Sequence, residues 1–171
     1  MLENEKTSKN GKKMAKLPKR WLTDDEQLLW RAYLGSFFRL DELLNSQLES
    51  NAGFDLLTYE ILVNLSESPE RSMRMNELAK RVSAQKSRLT YRITQLELDG
   101  WVERKSVDGD GRGLDCMLLD KGFAVLEKFA PMHVDGVLKN FIEPLEESDI
   151  SRLTEIFNSI ATSTKQVDCD K

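Results

Sequence analysis

Apolar residues recur along this chain at two spacings, and the switch between them is its most telling feature. From Leu22 to Leu48 the spacing is three and four: Leu29, Tyr33, Phe37, Leu40, Leu43, Leu44 and Leu48, widened by Trp30, Leu34 and Phe38. That pattern predicts a long amphipathic helix whose apolar face is too wide for one neighbour. Thr23, with Glu26 three positions later, predicts a capping box at its start, and Asp24 and Asp25 suit the positive end of the helix dipole. Asn51-Ala52-Gly53 breaks the helix. A second is expected over 58–66, with Ile61, Leu62 and Leu65 inward and Thr58 as its cap. A loop follows at 66–70.

The segment from Met75 to Gly122 carries the change of period. A short helix is expected over 77–82, with Asn76 as N-cap, Met75 as a staple residue and Leu78, Ala79 and Val82 inward. A fourth helix, from Ser83, has core positions Leu89, Ile93 and Leu96. At 100° per residue Ser87, Arg88, Tyr91 and Gln95 fall on or near its opposite face. Two short helices meeting at so tight a turn predict a helix-turn-helix. Asp99-Gly100 ends the fourth helix, glycine suiting a left-handed cap. The period then drops to two. Residues 101–107 and 114–119 predict a pair of strands, with Leu114, Cys116 and Leu118 on the inner side. Between them Asp108-Gly-Asp-Gly-Arg-Gly makes a polar hairpin tip. A hairpin placed there is a wing. Helical spacing returns over 121–141, where Pro131 is expected to kink or interrupt the helix, and over 149–161, where Ser148 would cap it. The predicted fold is mainly α with a small β-hairpin wing.

Charge localises the chemistry. The 171 residues carry a formal net charge of -4. Residues 1–20 hold seven basic and two acidic side chains, and residues 73–113 hold nine and six, while the stretches around them are acidic. Local potential, not net charge, attracts a phosphate backbone. Residues 1–20 lack periodicity and read as a flexible basic arm. No apolar run has the length of a membrane span, so a soluble, cytoplasmic protein is expected. The cysteines, Cys116 and Cys169, lack a metal-ligand spacing, and His133 is the single histidine. Neither a metal nor another cofactor is expected, nor enzymatic activity: no glycine-rich phosphate loop follows a strand.

A helix in a major groove presents the side chains near its N-terminus to base edges. Gln85, Lys86, Ser87, Arg88 and Tyr91 are therefore the candidate readers. Arg88 has the donors for guanine and Gln85 the pairing geometry for adenine, while Tyr91 and Ser87 suit phosphates as well. Arg112 at the wing tip suits the negative potential of a minor groove. Arg74, Lys80, Arg81, Arg104 and Lys105 are candidate phosphate contacts. Asp110 would hold the tip in shape by pairing with an arginine, between Gly111 and Gly113. Cys116 reads as a small inward hydrophobe and Cys169 as an exposed thiol, either of which leaves an oxidant-sensing role open.

From about Trp21 to Thr162 the chain resembles the MarR family of bacterial transcriptional regulators. The resemblance is sharpest in MNELAKRVSAQKSRLTYRITQLELDGWVERKSVDGDGRG and the following LDCMLLDKG. Leu78-Ala79, Leu89-Thr90, Leu96-Glu97, Asp99-Gly100 and Val102 are similar to that family's helix-turn-helix. Asp110-x-Arg112-Gly113 matches its wing, and Gly122 the glycine that starts the next helix. Two positions depart from the pattern: Leu119 stands where threonine is usual, and Gly111 replaces a frequent basic residue. The resemblance implies a winged helix-turn-helix domain with N- and C-terminal dimerisation helices. Residues 21–56 would form the first of these with its link, 57–122 the DNA-binding lobe, 123–162 the C-terminal dimerisation helices and 163–171 a polar tail. It further implies a homodimer on double-stranded DNA with an imperfect palindrome. The expected function is a sequence-specific repressor released by a small aromatic or phenolic effector, with Trp30, Tyr33, Phe37, Tyr59 and His133 as possible pocket residues. The alternatives are a DNA-binding regulator without such an input, as an activator or a redox-responsive protein, and a protein-interaction module that does not bind DNA.

Overall fold

The computed structural model describes residues 20–82, 84–107 and 110–168, of which 107, 110–113 and 165–168 are described by backbone alone. Along the chain lie α1 (Asp24–Ala52), α2 (Leu56–Ser66), a 3-10 turn (Pro69–Arg71), β1 (Ser72–Arg74) and α3 (Met75–Arg81). Then follow α4 (Lys86–Leu98), β2 (Val102–Val107), β3 (Asp110–Leu118), α5 (Asp120–Val137), a π-helical turn (Leu138–Ile142) and α6 (Glu147–Asp168). The strands form one antiparallel sheet in the order β1-β3-β2. The described residues fall into two compact units that divide α1 between Ser36 and Phe37.

Within the larger unit one core takes Leu48 from α1, Ile61, Leu62 and Leu65 from α2, and Leu78 from α3. Leu89, Ile93 and Leu96 from α4, Val102 and Cys116 from the sheet and Leu126 from α5 also belong to it. The three α4 residues are those expected from their spacing, and each is at most 3% exposed. Phe54 stands edge-on to both Trp101 and Phe129, with centroids 5.6 and 5.8 Å away. Gly122 lets α5 leave the sheet closely: a Cβ there would be driven into the Trp101 carbonyl and lie 2.8 Å from Leu118 Cδ1.

Several element ends differ from expectation, each for a local reason. The capping box of α1 forms, Thr23 N donating to Glu26 Oε2 at 2.8 Å and Glu26 N to Thr23 Oγ1 at 3.3 Å. Arg20 joins it, and its guanidinium together with these bonds lowers the Glu26 carboxyl to about 2. The cap of α2 is Asp55 rather than Thr58, which is fully buried inside the helix with both its N–H and hydroxyl donating to Asp55 Oδ1. Neither Asn76 nor any other side chain caps α3, because β1 pairs with β3 up to Arg74 and runs straight into the helix. At three residues, β1 is too short for alternation to reveal. The fourth helix begins at Lys86 after an extended Gln85; Ser83 lies outside the described residues. Gly100, at φ +70°, caps it as expected, with Trp101 N reaching Leu96 O.

Pro131 does not interrupt α5. Both it and Glu127 are exposed, so the carbonyl left without its partner meets water. The irregularity falls later, in the π-helical turn. Leu114 is exposed rather than inward, since it pairs with Ser106 where the hairpin has run beyond the core. Finally, α6 continues to Asp168, and within its last turns Thr162, Ser163 and Thr164 return their hydroxyls to carbonyls of the preceding turn.

Candidate nucleic-acid interface

The expected readers share one side of α4. Gln85, Lys86, Ser87, Arg88 and Tyr91 are all exposed, Tyr91 at 64%, while Leu89, Ile93 and Leu96 anchor the opposite side. Among the described residues Lys86 and Arg88 make no ion pair. The Arg88 charge does reach Glu60 on α2. That carboxyl is pushed up by burial and by Asp41, and Arg88 draws it partly back.

Two carboxylates fix the orientation of α4. Asp55 caps α2 through Oδ1 and takes Arg92 Nη2 through Oδ2 at 2.5 Å, tying the middle of α4 to the start of α2. Farther along, Glu97 receives the Arg104 backbone N–H and Nε, each at 2.8 Å, and Arg104 Nη2 as well. Arg104 Nη2 also reaches Thr94 Oγ1 at 3.1 Å. These bonds join α4 to the base of β2. The guanidinium beside it lowers the Glu97 carboxyl, and the Glu97 hydrogen bond raises Arg104 in turn. Half-buried, charge-assisted and multiply bonded, such pairs set geometry better than exposed ones do. Asp55, Arg92, Thr94 and Glu97 escape sequence reasoning. The Asp55–Arg92 contact joins residues 37 apart, and Glu97 meets Arg104 only across the Gly100 turn.

The remaining basic side chains occupy varied places. Lys80 is exposed, and Arg81 pairs with Glu77 one turn earlier at 3.4 Å. Arg74 lies 3.2 Å from Asp115 across the β1–β3 pair, and Lys105 lies 3.4 Å from Glu103 on the same strand. Arg104 is turned toward the protein, as its bonds to Glu97 require. At the wing, the backbone of Asp110, Gly111, Arg112 and Gly113 belongs to β3. Their side chains, together with Asp108 and Gly109, lie outside the described residues, and so does Cys169.

Of the aromatic residues, Tyr59 and His133 come together, with ring centroids 4.1 Å apart. His133 Nδ1 is buried without a hydrogen-bond partner, as is Gln47 Oε1. Gln47 Nε2 reaches the Met132 carbonyl at 3.5 Å, next to His133 in the chain. Burial lowers the His133 pKa and raises that of Tyr59. In the smaller unit Trp30 and Tyr33 stack at 5.7 Å; in the larger one Phe37 packs edge-on against Phe38 at 5.5 Å. Cys116 is fully buried, and burial pushes its thiol up to about 12. It is thus a thiol with almost no thiolate at neutral pH, the opposite of a reactive cysteine. No helix among the described residues is long and apolar enough to cross a membrane.

A family model described as MarR family matches residues 52–113. The chain is similar to the solved structure of Sco3205, a MarR family transcriptional regulator from Streptomyces coelicolor in complex with DNA. The two are 40% identical with a TM-score of 0.82, over 85% of this chain and 91% of that one. It is also 26% identical to the transcriptional repressor MprA of Escherichia coli (strain K12) over 85% of this chain and 81% of that protein. A shorter stretch is 30% identical to the HTH-type transcriptional regulator PecS of Dickeya dadantii (strain 3937), covering 43% of this chain and 44% of PecS.

Proposed function

On the premise that this chain belongs to the MarR family and is a DNA-binding transcriptional regulator, not an enzyme, we propose that it is a cytoplasmic homodimer that represses transcription from an imperfect palindrome and is released by a small aromatic or phenolic effector. The observation that carries this reading is the outer side of α4: exposed, headed by Lys86 and Arg88, which make no ion pair among the described residues, and held in place by the Asp55–Arg92 and Glu97–Arg104 pairs. Such a helix enters a major groove with its first turns facing base edges.

In this reading Arg88, Gln85, Ser87, Lys86 and Tyr91 meet bases or nearby phosphates. Lys80, Arg81, Arg74 and Lys105 serve the backbone, and Arg112 serves the minor groove beside the wing, with Asp110, Gly111 and Gly113 shaping its tip. Arg104 contributes by holding α4. Residues 21–56 and 123–162 build the dimer and 57–122 the DNA-binding lobe. Unpartnered apolar surface supports the dimer: Leu28, Leu29, Trp30 and Phe38 on α1, and Ile156, Phe157 and Ile160 on α6, are exposed. A second copy covers such faces and sets the two α4 helices about one DNA turn (~34 Å) apart.

Support for an effector comes from Tyr59 and His133, two rings in contact at a tilt, with His133 Nδ1 and Gln47 Oε1 buried without hydrogen-bond partners. Trp30, Tyr33 and Phe37 are the other aromatic residues proposed for effector binding. An effector acts by binding one arrangement of the lobes more tightly than another. The buried thiol of Cys116 counts against an oxidant sensor at that position.

Enrichment from a random duplex library, followed by anisotropy titration, tests this. An imperfect palindrome is expected, bound by two chains, with affinity falling steeply as salt rises. Arg112→Ala should weaken binding to all sequences and reduce the salt slope by about 1, whereas Arg88→Ala should also relax preference at one base pair. A single chain per duplex contradicts the dimer.

A further inference from the structure

Ser87, Thr90, Tyr91 and Thr94 stand at i, i+3, i+4 and i+7, so they form one strip along α4. No charge lies on it. Lys86 and Arg88 flank its start on opposite sides, each about 100° around the helix from Ser87.

Both threonine hydroxyls are committed to the protein. Thr90 Oγ1 donates to the Lys86 carbonyl at 2.8 Å. Thr94 Oγ1 donates to the Thr90 carbonyl at 3.0 Å and accepts from Arg104 Nη2 at 3.1 Å, an arginine itself held by Glu97. A threonine whose hydroxyl is turned back on the preceding turn leaves its methyl as the free branch. Thr90 and Tyr91 are both exposed, on the two edges of the strip, about 100° apart around the helix. The middle turn of the strip therefore offers a methyl on one edge and an aromatic ring on the other, where a base-reading helix more often offers amides or guanidinium groups. In a major groove one ordinary base matches that chemistry: thymine, through its C5-methyl group.

Building on the reading of α4 as the groove helix, we propose that Thr90 is a specificity residue that selects thymine by methyl contact. Thr94, pinned through Arg104, adds no competing hydroxyl donor of its own. Lys86 and Arg88 supply attraction and flanking contacts, while the uncharged strip decides which base pair is accepted.

Duplexes enriched by the wild-type protein from a random library provide the probe. Each thymine is replaced in turn by deoxyuridine, which keeps every hydrogen bond and removes only the methyl. Burial of one methyl-sized group corresponds to about a fourfold change in affinity, so that loss is expected at one thymine in each half-site. Thr90→Val, which keeps the methyl, should preserve the discrimination. Thr90→Ser, which keeps the hydroxyl, should bind the thymine and deoxyuridine duplexes alike at that position. Indifference of the wild type to every replacement overturns the proposal while leaving DNA binding intact. So does the reverse pattern, Thr90→Ser behaving as wild type and Thr90→Val failing, since the hydroxyl would then be the reader. If no sequence is enriched at all, the reading of α4 as a base-reading helix falls, and this proposal with it.

Discussion

Helices α4 and α6 carry the same kind of sequence, apolar residues three and four apart with polar ones between, yet they end in opposite environments. In α4 Leu89, Ile93 and Leu96 are buried by the chain's own α2, α3 and sheet. In α6 Ile150, Ile156, Phe157 and Ile160 remain between 39% and 52% exposed. Periodicity reports that a face seeks apolar company, not who provides it. Short connections bring α2, α3 and the strands around α4, so its core is intramolecular. An exposed apolar face of this size marks an interaction surface, and in the proposed dimer a second copy covers that of α6.

Truncation should separate the two helices most clearly. Ile93→Ala is expected to cost about 2–5 kcal/mol of stability through the cavity it leaves, equally at all protein concentrations. Phe157→Ala acts on assembly, so it should lower stability most at high protein concentration, where the wild type is associated, and hardly at all once dilution has separated both proteins into single chains. Urea unfolding across a wide concentration range distinguishes the two. A concentration-independent loss for Phe157→Ala would break the contrast.

Gly122→Ala sharpens it from the side of the lobe. The added methyl meets the Trp101 carbonyl, a backbone atom that cannot step aside, so about 1–3 kcal/mol should be lost in thermal unfolding. Asp55→Ala is expected to cost about 1 kcal/mol as a lost helix cap and to reduce DNA affinity by freeing Arg92. Arg92→Ala spares the cap, so a reduced affinity with a smaller stability loss would isolate the orienting role of the ion pair.

The smallest effect is on pH. Burial favours neutral His133, so the unfolded chain binds its proton more readily. Stability from this site is present above the ordinary histidine value near 6.5 and is lost as pH falls below it, until the lowered folded value is passed. Glu60, raised by burial, acts with the opposite sign at its own higher-than-usual carboxylate value, its contribution being lost as pH rises. His133→Phe should flatten the slope just below pH 6.5, and an unchanged slope would remove His133 from its cause.

Much of the lobe is legible in the sequence because its signals are local. The spacing of Leu89, Ile93 and Leu96 reports the buried side of α4, the glycine after Asp99 its end, and Thr23 with Glu26 the start of α1. Misreadings arise where a distant partner decides. Thr58 looks like a cap until Asp55, three residues earlier, takes the position and Thr58 is buried. Strand β1 exists because β3 pairs with it, and nothing in Ser72-Met73-Arg74 announces that. Arg104 looks like one more surface cation until Glu97 claims it. At the candidate interface, charge and exposure point to Lys86 and Arg88, but the commitment of the Thr90 and Thr94 hydroxyls is a matter of geometry that no pattern of residue types contains.

Whether the outer side of α4 reads DNA is decided most directly by titrating wild-type and Arg88→Ala protein against the enriched palindrome and a scrambled duplex at several salt concentrations. Wild type should prefer the palindrome by at least about a thousandfold, and Arg88→Ala should lose about 1–3 kcal/mol of that preference. Equal affinity for the two duplexes, or an Arg88→Ala protein with unaltered preference, would contradict the assignment of α4 as the reader.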